Sequence, residues 1–172
     1  MTYVYQPAPH SKIKHLKNDL GIILVEKAIE FTEQVKPACL PKTDITYGST
    51  CYASGWGSIK QINGSKTGKP ILNVTNATDL MTAPLNIFDK SECFQETLKH
   101  NKKATYEMFE LLYDELIPGG ICASNRPKST CNGDSGGPFI CKENGKAVVR
   151  GIVSGGFDIN LGPLLELYKL IR

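Results

Sequence analysis

Short apolar runs, broken by glycine, proline and polar clusters, set the pattern of this chain. Residues 19–25 place six apolar or small positions behind one acid, Asp19. Their length and β-branched content predict a buried strand, not a helix. Pro37 and Pro41 exclude a helix over 35–41, which reads as an extended connector. Further strands are predicted over 50–57, 80–87, 120–123, 138–142 and 147–154. Two stretches follow a different period. Ser91 is placed to cap a short helix running to about Lys99. Residues 106–113 have helical spacing up to the breaker Pro118-Gly119-Gly120, and read as a packed surface insertion. The last residues, 164–172, read as a short helix. Residues 1–18 and 59–70 are polar and read as surface segments. There is no internal repeat. Many short strands between Gly/Pro turns predict an all-β sandwich or barrel.

Charge and composition remove several function classes. The chain has 172 residues and a formal net charge of +3, with both signs mixed along it. Without a basic block or aromatics interleaved with arginine, nucleic acid is not an expected partner. No apolar run reaches the roughly 18 residues that span a bilayer as a helix. The six cysteines, Cys39, Cys51, Cys93, Cys122, Cys131 and Cys141, contain no Cys-x-x-Cys pair. That spacing argues against zinc, and no metal or cofactor is expected. An even count favours disulfides and an oxidising, extracellular setting. Glycosylation sequons at Asn63, Asn73 and Asn76 agree with it. Residues 1–20 lack the apolar core and cleavage site of a signal peptide, so the natural start is expected upstream.

The chemistry concentrates in Gly133-Asp134-Ser135-Gly136-Gly137-Pro138, between Cys131 and Cys141. A serine framed by glycines has bare backbone around its hydroxyl, which lets a substrate approach closely. The N–H groups of Gly133 and Ser135 can share one small space, the geometry that holds an oxyanion during acyl transfer. Asp134 between them needs a partner once folded, because an unpaired buried carboxylate is costly.

Six stretches together carry a resemblance: GDSGGP at 133–138, DLGIIL at 19–24, ACLP at 38–41, SGWG at 54–57, ICAS at 121–124 and GIVSG at 151–155. In this order they resemble the trypsin/chymotrypsin family of serine endopeptidases. The resemblance implies a chymotrypsin-like double β-barrel, with only the end of the first barrel and most of the second in this chain. Residues 1–34 would be the first-barrel remnant and 35–50 the connector. Residues 51–172 would form the second barrel, with an inserted helical loop near 91–118. By the same resemblance Ser135 is the nucleophile, and Gly133 and Ser135 are the oxyanion donors. Asp19 is the buried carboxylate that orients the catalytic histidine. Asp134 would pair with a new N-terminal amine on activation. Ser129 would lie at the base of the specificity pocket, with Ser154 and Gly156 along its side. The implied disulfides are Cys51–Cys141 and Cys93–Cys122, leaving Cys39 and Cys131 unpaired.

The chain also departs from that pattern. No Ala-Ala-His-Cys-like motif precedes Asp19, and His10, His15 and His100 stand outside any such context. The activating Ile-Val-Gly-Gly-like start is absent too, which leaves Asp134 without an evident partner. Gly155-Gly156-Phe157-Asp158 replaces the usual Trp-Gly and cysteine. The expected activity is therefore peptide-bond hydrolysis through an acyl-enzyme on Ser135, with this chain alone inactive or nearly so. Its partners would be protein substrates, protein inhibitors and the N-terminal part of its own chain. The alternative is a non-catalytic homologue that binds or regulates other proteins, or a truncated gene product. An uncharged Ser129 disfavours lysine or arginine before the scissile bond and favours a large apolar residue.

Overall fold

A computed structural model of the chain describes residues 3–5, 19–60, 75–100, 105–107, 109, 110, 113, 119–125, 129–157 and 165–170. Ten strands and one long helix are found among them. The first two strands, β1 (Tyr3–Tyr5) and β2 (Ile22–Leu24), form an antiparallel pair on their own. Next come β3 (Thr50–Gly55), β4 (Ser58–Lys60) and β5 (Thr75–Asn76), the last two again an isolated pair. The chain continues through β6 (Met81–Phe88), helix α1 (Lys90–His100) and β7 (Gly120–Ser124). It ends with β8 (Pro138–Glu143), β9 (Lys146–Phe157) and β10 (Leu165–Leu170). Six of these strands close an antiparallel barrel in the order β10-β7-β6-β3-β8-β9, with β10 pairing back onto β9.

The barrel follows from alternation of side chains along each strand. Cys51 and Ala53 of β3 face in while Tyr52 faces out, and Phe139 and Cys141 of β8 face in. Leu85, Ile87, Ile121, Ala123 and Val153 complete the core. The Tyr52↔Ile140 register brings the two inward cysteines together, and Cys51–Cys141 is a disulfide across neighbouring strands. Cys93–Cys122 is the second disulfide and ties α1 to β7. Both pairings are those implied by the resemblance, and Cys39 and Cys131 remain free thiols.

The helix begins two residues earlier than the sequence suggests, and the cap is Asp89, not Ser91. Asp89 Oδ1 accepts from the Glu92 N–H at 2.8 Å, and Glu92 Oε2 accepts from the Asp89 N–H at 3.1 Å. This is a reciprocal capping box, which satisfies two donors at once. The insertion packs as expected. Residues Tyr106, Glu107, Phe109, Glu110 and Tyr113 are helical. Phe109 is buried against Cys93 and Cys122, and its ring lies 5.2 Å from Phe94 and 5.4 Å from Tyr113.

Two expectations are corrected. Residues 165–170 form strand β10, not a helix, and this strand closes the barrel between β7 and β9. Edge groups on those two strands offer the backbone a ladder on both sides, which outweighs a weak helical preference in a short segment. The strand at residues 22–24 forms, but it is not buried: Ile22, Ile23 and Leu24 are 66%, 64% and 65% exposed. Among the described residues its ladder neighbour is β1 alone. Val25, Ile29 and Phe31 are exposed as well, so uncovered apolar surface is concentrated in residues 22–31. Surface of this kind drives association. The 172-residue chain is therefore expected to elute as a self-associated species in size-exclusion chromatography with light scattering. Ile23→Lys with Leu24→Lys should shift it toward monomer, and a monomeric parent chain would contradict this.

The connector is pinned to the barrel. Cys39 donates its N–H to Ala147 O and accepts from Val149 N–H, both at 2.9 Å. Arg150 is buried and bonds Glu143 through Nε at 2.6 Å and Nη2 at 2.9 Å, while Nη1 donates to Thr43 O. It sits where β9 holds an extra residue: Phe139 pairs with Gly151 but Ile140 with Val149. Such a β-bulge re-aims a side chain, here toward the connector.

Candidate active site

A second bulge on β9 builds the site. Leu167 of β10 pairs with Gly155, yet Tyr168 pairs with Val153, so Ser154 is the extra residue. The Ser154 hydroxyl donates to Asp19 Oδ2 at 2.6 Å, across 135 residues of sequence. Ser154 is thus brought to Asp19, a contact that no local sequence feature announces. Asp19 itself is exposed, not buried. Among the described residues the carboxylate bonds the Ser154 hydroxyl and stays open to water.

The loop at 131–137 is fastened to the same strand. Gly136 donates its N–H to Val153 O, and Val153 donates its N–H to Gly137 O, each at 2.9 Å. Val153 immediately precedes Ser154. Ser135, exposed, and the Ser154–Asp19 pair are therefore held by adjacent positions of one strand.

Asp134 is the loop's internal anchor. Its Oδ1 accepts from Gly57 N–H at 2.8 Å and its Oδ2 from Cys131 N–H at 2.9 Å. Its N–H donates to Cys131 O at 3.0 Å, and its carbonyl accepts from Gly137 N–H at 2.9 Å. The expectation that Asp134 lacks a partner is corrected: two backbone donors hold its carboxylate. Room for that carboxylate exists because residues 55 and 57 are glycines. A Cβ at Gly55 would lie 2.0 Å from Asp134 Oδ1, and one at Gly57 would lie 2.5 Å from Cγ. The SGWG stretch is a receptacle for Asp134, and close approach of this sort is what glycine permits.

Residues 131–134 form a turn, closed by the Asp134 N–H to Cys131 O bond. Gly133, third in the turn, has φ +97°. A closed turn with positive φ at that position has the form of type II. Among the described residues, the N–H groups of Gly133 and Ser135 find no acceptor, whereas those of Asp134, Gly136 and Gly137 are all used. Two unspent donors flank the serine that the sequence singles out.

The other sequence candidates are placed as follows. Ser129 is half-buried and its hydroxyl donates to Thr130 O at 2.7 Å. Gly156 lies on β9 opposite Glu166. Asn76 is exposed on β5, while Asn63 and Asn73 fall outside the described residues. So do His10 and His15; His100 ends α1. The described residues include no cluster of three or more His, Cys, Asp or Glu side chains suited to a metal ion, and no helix among them is long and apolar enough to cross a membrane.

Comparison with known proteins gives the family. The family described as Trypsin matches residues 2–168. The mouse (Mus musculus) kallikrein 1-related peptidase b22 is 36% identical over 143 residues, covering 82% of this chain and 44% of its own length. The mouse kallikrein 1-related peptidase b8 is 37% identical over 139 residues, covering 81% of this chain and 43% of its own. The chain thus spans less than half the length of the curated relatives it matches.

Proposed function

Because the chain belongs to the trypsin family of serine proteases, we propose that it carries the nucleophile-bearing barrel of a serine endopeptidase. The observation that supports this most is the pair of free N–H groups, at Gly133 and Ser135, on a loop tied to the strand that holds Asp19.

In this reading Ser135 Oγ attacks a peptide carbonyl. A histidine from outside these 172 residues takes the proton and later returns it to the leaving amine. Asp19, oriented by Ser154, holds that histidine and stabilises its charged form. The N–H groups of Gly133 and Ser135 receive the carbonyl oxygen as its charge develops. The exposure of Asp19 suits this assignment, since the histidine and the first barrel would cover it. Residues 1–34 are assigned to that first barrel, 35–50 to the connector and 51–172 to the second barrel. Asp134 pairs in addition with the N-terminal amine of an activated chain. Ser129 offers no carboxylate to a cationic side chain, so a large apolar residue is the preferred one before the scissile bond. The two disulfides support an extracellular, oxidising location. The intact serine with unspent donors favours the catalytic reading over a purely binding homologue.

The test is a fluorophosphonate labelling time course. The 172-residue chain, refolded oxidatively, is expected to label over many hours or not at all. Fused behind the N-terminal half of a kallikrein relative, it should label within minutes. Rapid stoichiometric labelling of the chain alone would contradict an outside base. A folded fusion that never labels would contradict Ser135 as nucleophile.

A further inference from the structure

Ser58 holds the carbonyl of Asn132 by two bonds: its N–H donates at 2.9 Å and its hydroxyl at 3.1 Å. That carbonyl and the N–H of Gly133 are opposite ends of one trans peptide, so they point in opposite directions. Fixing the carbonyl on Ser58 fixes the Gly133 N–H on the far side, away from β4. The peptide in question is the central one of the 131–134 turn. Turns of types I and II differ chiefly by rotation of that single peptide, and with glycine in third position both are open to the chain. Rotation would carry the Gly133 N–H round to the Ser58 side and set a carbonyl in its place.

We propose that Ser58 is a positioning residue that locks the Asn132–Gly133 peptide in the donor-out orientation. The inference rests on the reading of Gly133 and Ser135 as oxyanion donors for its functional meaning, but the lock itself does not. Ser58 is suited to this by its place in the chain. It follows Gly57, whose N–H holds the Asp134 carboxylate, so consecutive residues grip both halves of the turn. Pairing of β4 with β5 sets Ser58 opposite Asn76. The Asn76 side-chain oxygen is 3.5 Å from the same hydroxyl. A hydroxyl has one proton to donate; the nearer Asn132 carbonyl takes it. The backbone bond survives any substitution except proline, whereas the hydroxyl bond is specific to serine or threonine.

The experiment is nuclear magnetic resonance on the isotope-labelled 172-residue chain, with peptidyl boronate binding measured for the same substitutions in the histidine-bearing fusion. Ser58→Ala should move the Asn132 carbonyl carbon upfield and give Gly133 a second amide signal from the rotated peptide. Boronate affinity should fall about fivefold, the worth of one neutral hydrogen bond. Ser58→Thr should restore both, which a merely structural loss would not do. If Ser58→Ala does not fold, Ser58→Cys, which keeps the volume but donates weakly, should show the same changes. An Asn132 carbonyl that stays put in a folded variant, or a threonine variant no better than alanine, overturns the lock. If the carbonyl moves but boronate binds the parent and the variants equally, or none of them, the lock stands and the oxyanion reading fails.

Discussion

Ser135→Ala is expected to lower peptide hydrolysis by a factor on the order of 10⁶ in a form of the protein that carries its general base. In the proposed reading the Ser135 hydroxyl is the attacking atom. The fold should be almost untouched. Ser135 is exposed, and substitutions at exposed positions change stability by about 0.5 kcal/mol or less. Loss of activity with an unchanged melting temperature is therefore the expected pair of results. Steady-state kinetics on a chromogenic peptide with a large apolar residue before the scissile bond measures the first, and calorimetry the second. A fall of less than tenfold would remove Ser135 from the mechanism.

Asp134→Ala is expected to act the other way round, on structure first. It strips the charged acceptor from two backbone donors, Gly57 N–H and Cys131 N–H. A hydrogen bond to a charged group contributes about 1.5–3 kcal/mol. Asp134 is only half-buried, so water replaces part of what is lost. We expect a net cost of about 3 kcal/mol, roughly 6–12 °C in melting temperature for a chain of this size. Gly55→Ala should cost a similar amount by a different route, since its methyl would occupy the place of Asp134 Oδ1. The double variant is the informative one. With the carboxylate gone the methyl has space, so the combined loss should be clearly smaller than the sum. Additive losses would mean that SGWG does not serve as the receptacle of Asp134.

Much of the barrel was legible because alternation and turn chemistry agree along it. Residues 120–123, 138–142 and 147–154 have the pattern of strands, and all three lie in the closed barrel. The 165–170 strand was not legible. Its status as a strand comes from the open edges of β7 and β9, which its own residues do not show. Exposure of residues 22–24 was hidden for a related reason: an apolar run shows that a surface wants cover, not whether cover is present.

The site divides in the same way. Ser135, Gly133 and Asp134 stand in one hexapeptide, and the glycines around the serine announced them. Asp19 stood out only through its family motif. The Ser154–Asp19 bond depends on a bulge, and a bulge is a property of two paired strands that one strand's sequence does not show. Ser58 is quieter still. It acts partly through its backbone N–H, which any residue but proline provides, and nothing in its neighbours marks its hydroxyl. SGWG gave a partial signal: two glycines around a tryptophan ask what approaches them, and the answer is the carboxylate of Asp134.

The central claim is that Ser135 is the nucleophile of a serine endopeptidase whose base lies beyond these 172 residues. Peptide mass mapping after fluorophosphonate treatment of the histidine-bearing fusion tests it most directly. The account predicts a single phosphonyl group on Ser135 and none on the Ser135→Ala variant. A label on any other residue, or an active fusion that carries no label at Ser135, would contradict it.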